Sequence, residues 1–494
     1  MAKIARERSI SDFENRVPVH VVWEITLACD LHCKHCGSRA GSRREDEMNT
    51  KECLELIDTL SAMGTREITL IGGEAYLRKD WLIIIKAIRD KGIRCAIQSG
   101  ARNFTERRIV AAKAAGLQGI GVSIDGLAEQ HNYIRGADNS FERAICALIN
   151  AKKHDLKISV NTVVCKDTLS QLPDLLKILA EVGITHWQIQ LAVAMGNAVD
   201  NPELLLQPYE LLEEFPKLAN IYRQARQMGI IVSVGNNIGY FGPYESLWRG
   251  LGDQTQHWTG CSAGVSGIGI EADGTIKGCP SLATEDFAAG NIRSESLVDI
   301  WEGDNNIDYT RKRTTDDLWG FCGSCYYADV CRAGCTWTSH SLLKRTGNNP
   351  YCHYRALSLA KDDIRESIVK VKDASDRSFA IGEFRLVMEQ KVQGQYVEID
   401  TDAYLVKKNS QTILKKKKAR DYMPEQLELC LGCHEYIWDE PYCPHCGCDV
   451  KQAKLKDEEN RQRVNAAMQL IQDTLNYQRV SENSIPVVQV DCSD

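Results

Sequence analysis

Three cysteines, Cys29, Cys33 and Cys36, end the run Trp23-Glu-Ile-Thr-Leu-Ala-Cys-Asp-Leu-His-Cys-Lys-His-Cys36 with C-x3-C-x2-C spacing. A cubane iron-sulfur cluster has four irons and is normally held by four thiolates. Three thiolates at this spacing therefore fix it and leave one iron open to another ligand. A partial zinc site is the alternative, although zinc sites built from cysteine usually come as complete sets of four. A second system begins at Cys261 and continues through Gly274-Thr-Ile-Lys-Gly-Cys279, Cys322-x2-Cys325-x5-Cys331-x3-Cys335 and Cys352. A third, Cys430-x2-Cys433-x9-Cys443-x2-Cys446, sets two C-x2-C knuckles facing each other. That arrangement presents four thiolates tetrahedrally, as in a zinc ribbon, with rubredoxin-like iron as the alternative and His445 or Cys448 as substitute ligands. So small a module has little core, so the metal would supply its folding energy.

These residues must be positioned by a large scaffold. The 494-residue chain is expected to hold two to four domains. Its 60 Lys and Arg against 67 Asp and Glu give a net charge of −7, without the basic excess that binds nucleic acid nonspecifically. No apolar stretch approaches a membrane span, and residues 1–18 carry charges where a signal peptide would be apolar. A soluble, cytoplasmic protein is expected. In that reducing compartment 20 cysteines argue for metal ligation over disulfides, while Cys53, Cys95, Cys146 and Cys165, inside apolar elements, read as buried thiols.

Short apolar runs at Val19–Leu27, Glu67–Ile71, Arg94–Gln98, Gly119–Ile124, Lys157–Val164 and His186–Val193 alternate with helical patterns such as Thr50–Met63, Lys79–Lys91, Phe141–Lys153 and Leu169–Val182. Asn49 is a suitable cap for the first helix, with Glu52 beside it. Six strand-helix repeats predict parallel strands with right-handed crossovers and an α/β fold, an incomplete (β/α)6 barrel. Functional groups collect at the C-terminal ends of such strands, where the first triad falls. Trp187, Gln188 and Gln190 on strand six are candidate barrel-lining residues, although packing explains Trp187 equally well.

The triad after an apolar strand, followed by Gly72-Gly73-Glu74 after strand two, resembles the radical S-adenosylmethionine (SAM) superfamily. Glycines permit close backbone approach and a carboxylate accepts from an ammonium. The resemblance implies that the SAM amine and carboxylate chelate the open iron and that Glu74 receives the amine. Ser99 with Gly100, Ser123 and Asp125 match positions that meet the SAM ribose and carboxylate, and Arg135 matches a carboxylate contact. Ala75 replaces the usual proline, which affects loop stiffness more than chelation. His32 and His35, between cluster ligands, read as tuning the cluster's surroundings. The seven-cysteine pattern resembles the SPASM extension of radical SAM peptide maturases. By resemblance Cys322, Cys325, Cys331 and Cys352 hold an outer auxiliary cluster, while Cys261, Cys279 and Cys335 hold an inner one that lacks a fourth thiolate. Asp253, His257, water or a substrate group is available to fill it.

The expected organisation is an N-terminal extension (1–18), the partial barrel (19–235), the SPASM domain (236–355), a helix, small β-meander and basic linker (356–420), and a zinc-ribbon-like module with a C-terminal helix (421–494). The helix is expected over 356–372, the meander over Phe384–Glu389, Gln395–Ile399 and Ala403–Lys407, and the linker at Lys415–Lys418. The resemblance covers about residues 17–355. It implies SAM, three 4Fe-4S clusters and oxidative modification of a peptide, with a ribosomally synthesised precursor as substrate. A flavodoxin or ferredoxin would donate electrons, and a separate protein, or the meander, would bind the leader peptide. The Zn2+ expectation rests on the C-terminal knuckles. A small-molecule or tetrapyrrole maturase, peptide-backbone excision and a zinc-stabilised non-enzymatic scaffold are the competing readings. No general base can be assigned from spacing.

Overall fold

The computed structural model describes residues 6, 9–249, 257–303, 305–401 and 404, with two short strands beyond them. The chain divides into a larger unit reaching Val406 and a smaller one spanning Lys407–Gln489.

The predicted strands form as β1 (His20–Glu24), β2 (Glu67–Ile71), β3 (Arg94–Ser99), β4 (Gly119–Ser123), β5 (Lys157–Val164) and β6 (His186–Leu191). Each pairs in parallel with the next, for example Glu24 with Ile71 and Val164 with Leu191. Burial alternates strictly along β3, β5 and β6. Cys95, Ile97, Val160, Trp187 and Ile189 pack outward under the helices. The intervening residues, among them Gln98, Asn161, Gln188 and Gln190, line the barrel interior. Trp187 is thus a packing residue, its indole donating to Thr162 Oγ1 at 2.8 Å.

Two more strands extend the parallel array beyond the expected six. β7 (Ile231–Val234) pairs with β6, and β8 (Gly267–Ile270) pairs with the opposite edge of β1. Antiparallel β9 (Thr275–Lys277) and β10 (Gly290–Asn291) continue from β8. Neither parallel strand carries a strong local signal, since β7 exposes alternate positions and β8 reads Gly-Ile-Gly-Ile. The segment expected as a separate SPASM domain therefore begins inside the barrel sheet. The helix Leu211–Gln227, with Pro216 in its interior, leads into β7.

The Thr50–Ala62 helix has the expected cap, Asn49 Oδ1 accepting from Glu52 N at 3.1 Å and Glu52 Oε2 from Asn49 N at 2.7 Å. After the cysteine-rich segment a correction is required. The helix predicted over 356–372 is a short helix, His353–Ala360, followed by β11 (Ile364–Lys372). Ile364, Glu366 and Ile368 face inward in period two, but the charge on Glu366 hides that period. Arg355 satisfies it in a fully buried bidentate pair at 2.6 Å. β12 (Glu383–Val392) and β13 (Gln395–Glu398) complete an antiparallel β11-β12-β13 sheet, one strand earlier than expected.

Cys146 is disulfide-bonded, not the free buried thiol expected, whereas Cys53, Cys95 and Cys165 are free and buried. In the smaller unit, β14 (Glu428–Leu429) pairs antiparallel with β15 (Tyr436–Ile437). Cys430, Cys433, Cys443 and Cys446, Asp253 and the Lys415–Lys418 run lie outside the described residues, as does Ala403–Lys407 apart from Tyr404. No helix among the described residues is long and apolar enough to cross a membrane.

Candidate active site

The loop leaving β1 carries Cys29, Cys33 and Cys36 as free thiols, with Leu31 and Ala137 packed among them. Its backbone is stitched to its surroundings: Cys29 N donates to Gly41 O, His32 N to Arg135 O, and Asn197 N to Cys36 O. Gly72 and Gly73 lie directly against this loop. Glu74 N donates to Ala28 O at 2.7 Å. A Cβ on Gly73 would sit 2.2 Å from Ala28 O, so the glycine pair is a packing requirement of the loop itself.

Glu74 is buried, and accepts from Ser99 Oγ at 2.5 Å and Gly100 N at 2.6 Å. Burial pushes its carboxyl up to about 8, against those two hydrogen bonds. A Glu74 carboxylate oxygen, one from Asp30 and Cys29 Sγ lie within 4.8 Å of one another. Asp30 in turn accepts from Tyr76 and Asn103. Two carboxylates beside a cluster-loop thiol create a spot that favours an ammonium.

Asp125 and Arg135, both expected at SAM, are buried and paired with each other at 2.6 Å. His35 Nε2 bonds the same Asp125 oxygen at 2.8 Å, and Arg135 Nη1 lies 3.7 Å from Cys33 Sγ. Burial alone would raise the Asp125 carboxyl, yet Arg135 and His35 together hold it well below the usual carboxylate range. The two residues therefore clamp the cluster loop. Arg135 keeps one buried donor, Nε, without a partner, which suits a carboxylate ligand. Ser123 accepts from Gln98 Nε2 at 3.3 Å.

The remaining cysteines gather as two groups. Cys322, Cys325, Cys331 and Cys352 line one small pocket walled by Tyr240, Phe241, Phe321, Tyr327 and Tyr354. Cys261, Cys279 and Cys335 form the second group: burial pushes up the Cys261 and Cys279 thiols, Cys279 and Cys335 add to the rise at Cys261, and Cys335 adds to that at Cys279. His257, one candidate for the open position, has its Nδ1 3.0 Å from Trp258 O and its ring tilted relative to Phe241. Tyr309 and buried Arg313 interact electrostatically with this inner trio. Neither was legible in sequence, because no spacing rule links them to the cysteines.

A cavity of about 910 Å³ runs through the barrel interior. Cys36 and Gly37 border it, as do Pro280, Ser281 and Trp337 of the cysteine-rich segment and Phe379 of the β11–β12 connection. Its strand walls carry Gln98, Ser159, Asn161, Gln188, Gln190 and Ser233 among apolar residues such as Val22, Ile71 and Val163.

The radical SAM superfamily model matches residues 23–190, and that of the SPASM iron-sulfur cluster-binding domain matches 261–326. The AdoMet-dependent heme synthase of Methanosarcina barkeri is 30% identical over 363 residues, 68% of this chain and 97% of that protein. The chain belongs to the radical SAM superfamily. The mycofactocin maturase MftC of Mycobacterium ulcerans is also 30% identical, over 72% of this chain and 94% of MftC. Among solved structures, Streptococcus suis SuiB bound to its precursor peptide SuiA shares the fold with a TM-score of 0.54 at 16% identity, covering 69% of this chain and 77% of SuiB. AnSMEcpe with bound AdoMet gives 0.54 at 17% identity, over 69% and 94%. This radical SAM/SPASM chain is accordingly an iron-sulfur enzyme that binds SAM, and the non-enzymatic scaffold reading does not hold.

Proposed function

We propose that this enzyme oxidatively modifies a peptide, a ribosomally synthesised precursor, by SAM-derived radical chemistry. The observation that carries the reading is the large barrel cavity, lined by amides and hydroxyls among apolar residues and bordered at once by the Cys36–Gly37 loop and by Pro280, Ser281 and Trp337. An extended peptide can hydrogen-bond along amide and hydroxyl side chains while one residue reaches the reacting centre. Similarity to MftC, and to SuiB with its bound precursor peptide, supports the same reading.

Cys29, Cys33 and Cys36 would hold the SAM-binding cluster, Cys322, Cys325, Cys331 and Cys352 the outer auxiliary cluster, and Cys261, Cys279 and Cys335 the inner one. Held there, a reduced cluster would supply the electron for cleavage of SAM to methionine and a 5′-deoxyadenosyl radical, which would take a hydrogen atom from the substrate. The chain's own residues prepare this. Glu74, with Asp30, receives the SAM ammonium, and Gly72 and Gly73 keep that carboxylate against the cluster loop. Arg135 offers its unpartnered Nε to the SAM carboxylate while Asp125 and His35 hold its guanidinium in place. Ser99 orients Glu74 and Ser123 faces the ribose. A flavodoxin or ferredoxin supplies the electron, and a separate protein binds the leader peptide.

The heme synthase relative supports a second reading, a tetrapyrrole substrate. Anaerobically reconstituted enzyme, SAM and dithionite should be given either precursor peptides encoded beside the gene or a tetrapyrrole panel. Loss of two mass units from a peptide, with matching 5′-deoxyadenosine, supports peptide oxidation. Turnover of a tetrapyrrole alone would replace that reading by the second.

A further inference from the structure

The connection between β11 and β12, residues 373–382, lies outside both matched family segments. It nevertheless reaches the reacting end of the cavity. Phe379 N donates to Gly37 O at 3.1 Å, one residue from Cys36, and Ala380 O accepts from Gly196 N at 2.8 Å. Phe379 sits at φ +57°, a left-handed conformation that disfavours a bulky side chain and persists only where the surroundings impose it. Its ring packs with Met195 and Ala283, beside Trp337 and Ile381. The buried Lys277 ammonium lies 3.8 Å from the ring centroid. Trp337 Nε1 donates to Met195 Sδ at 3.4 Å, which fixes the indole beside the same surface.

The strand walls of the cavity mix amides and hydroxyls with Val22, Ile71 and Val163, and at the Cys36–Gly37 loop Met195, Trp337 and Phe379 border it together with Ser38 and Ser281. Met195 and Phe379 are themselves packed and buried, with Trp337 partly buried beside them, but all three border the cavity, and an apolar border favours an apolar partner because the contact removes hydrocarbon from water. We propose that Phe379, with Trp337 and Met195, is a specificity-determining shelf on which the substrate residue that surrenders hydrogen rests an apolar side chain. This rests on the peptide reading above and narrows it to precursors with an apolar residue at the modified position.

The test uses reconstituted holoenzyme, SAM, dithionite and two capped tripeptides, acetyl-Gly-Leu-Gly-amide and acetyl-Gly-Ser-Gly-amide, each fully deuterated at the central residue. Hydrogen abstraction moves deuterium from a probe C–D bond to the 5′ carbon of 5′-deoxyadenosine. The leucine probe should label it at least about tenfold more than the serine probe. Phe379→Gly should bring that ratio close to one while the loop stays docked, since glycine adopts the observed backbone without strain. Phe379→Tyr should retain the preference. The shelf is overturned by equal labelling in the wild type, by an unchanged ratio in Phe379→Gly, or by unlabelled 5′-deoxyadenosine from both probes. Absence of 5′-deoxyadenosine altogether would instead sink the radical reading, and the shelf with it.

Discussion

At the scale of single residues, Asp125 is the keystone, because one buried carboxylate answers His35, Arg135 and the backbone N–H of Val163. Asp125→Asn leaves the Arg135 guanidinium buried beside Cys33 without a countercharge, at a cost of about 3–5 kcal/mol. Denaturant melts under anaerobic conditions should show it, and a loss under about 1 kcal/mol would contradict the clamp. The folded pKa of Asp125 is depressed, so its stabilisation is present above the unfolded carboxylate range and is lost as pH falls through the lower folded value. Glu74 has the opposite sign. Its carboxyl, raised to about 8, is largely protonated at neutral pH in the SAM-free site, so binding an ammonium there must expel a proton. SAM affinity should tighten as pH rises toward about 8 and then level off. Glu74→Gln should weaken binding roughly 10- to 100-fold and flatten that pH dependence, as read by calorimetry in buffers of differing ionisation enthalpy.

Among elements, the β2 turn and the cluster loop form one packed unit, which gives Gly73 a test of its own. Gly73→Ala would drive a methyl into the Leu27 and Ala28 carbonyls and separate the two loops. The purified variant should hold less iron than wild type, and full iron with normal SAM binding would show the approach to be dispensable. The six strands and the Asn49 cap were legible because they rest on local period or local hydrogen bonding, whereas the division of the later cysteines into two sets came from the SPASM resemblance and not from their spacing. β11 was misread because the charged Glu366 occupies an inward position whose partner, Arg355, is apparent only in three dimensions. The role of the 373–382 connection was illegible for a related reason. Its meaning comes from one hydrogen bond to Gly37 across more than three hundred residues, and no periodicity encodes that contact.

For the whole molecule, the three proposed cubane clusters would give about twelve irons per chain in the larger unit, with any iron bound by Cys430, Cys433, Cys443 and Cys446 adding to that total. Replacing Cys29, Cys33 and Cys36 with alanine should remove about four and abolish 5′-deoxyadenosine formation while the auxiliary iron stays. Loss of all iron would mean that the centres assemble only together. The pairing of β8 with β1 bears on synthesis as well as on architecture. His20 is not joined by Gly267 until roughly 250 further residues have been translated, an interval on the order of 10–50 s at ordinary elongation rates. Throughout that time the outer margin of β1 offers unpaired N–H and C=O groups to any neighbouring nascent chain, the condition under which strands pair wrongly. A ribosome pause between β7 and β8 would lengthen that exposure, so aggregation during expression should respond more to translation speed there than to the stability of the finished enzyme.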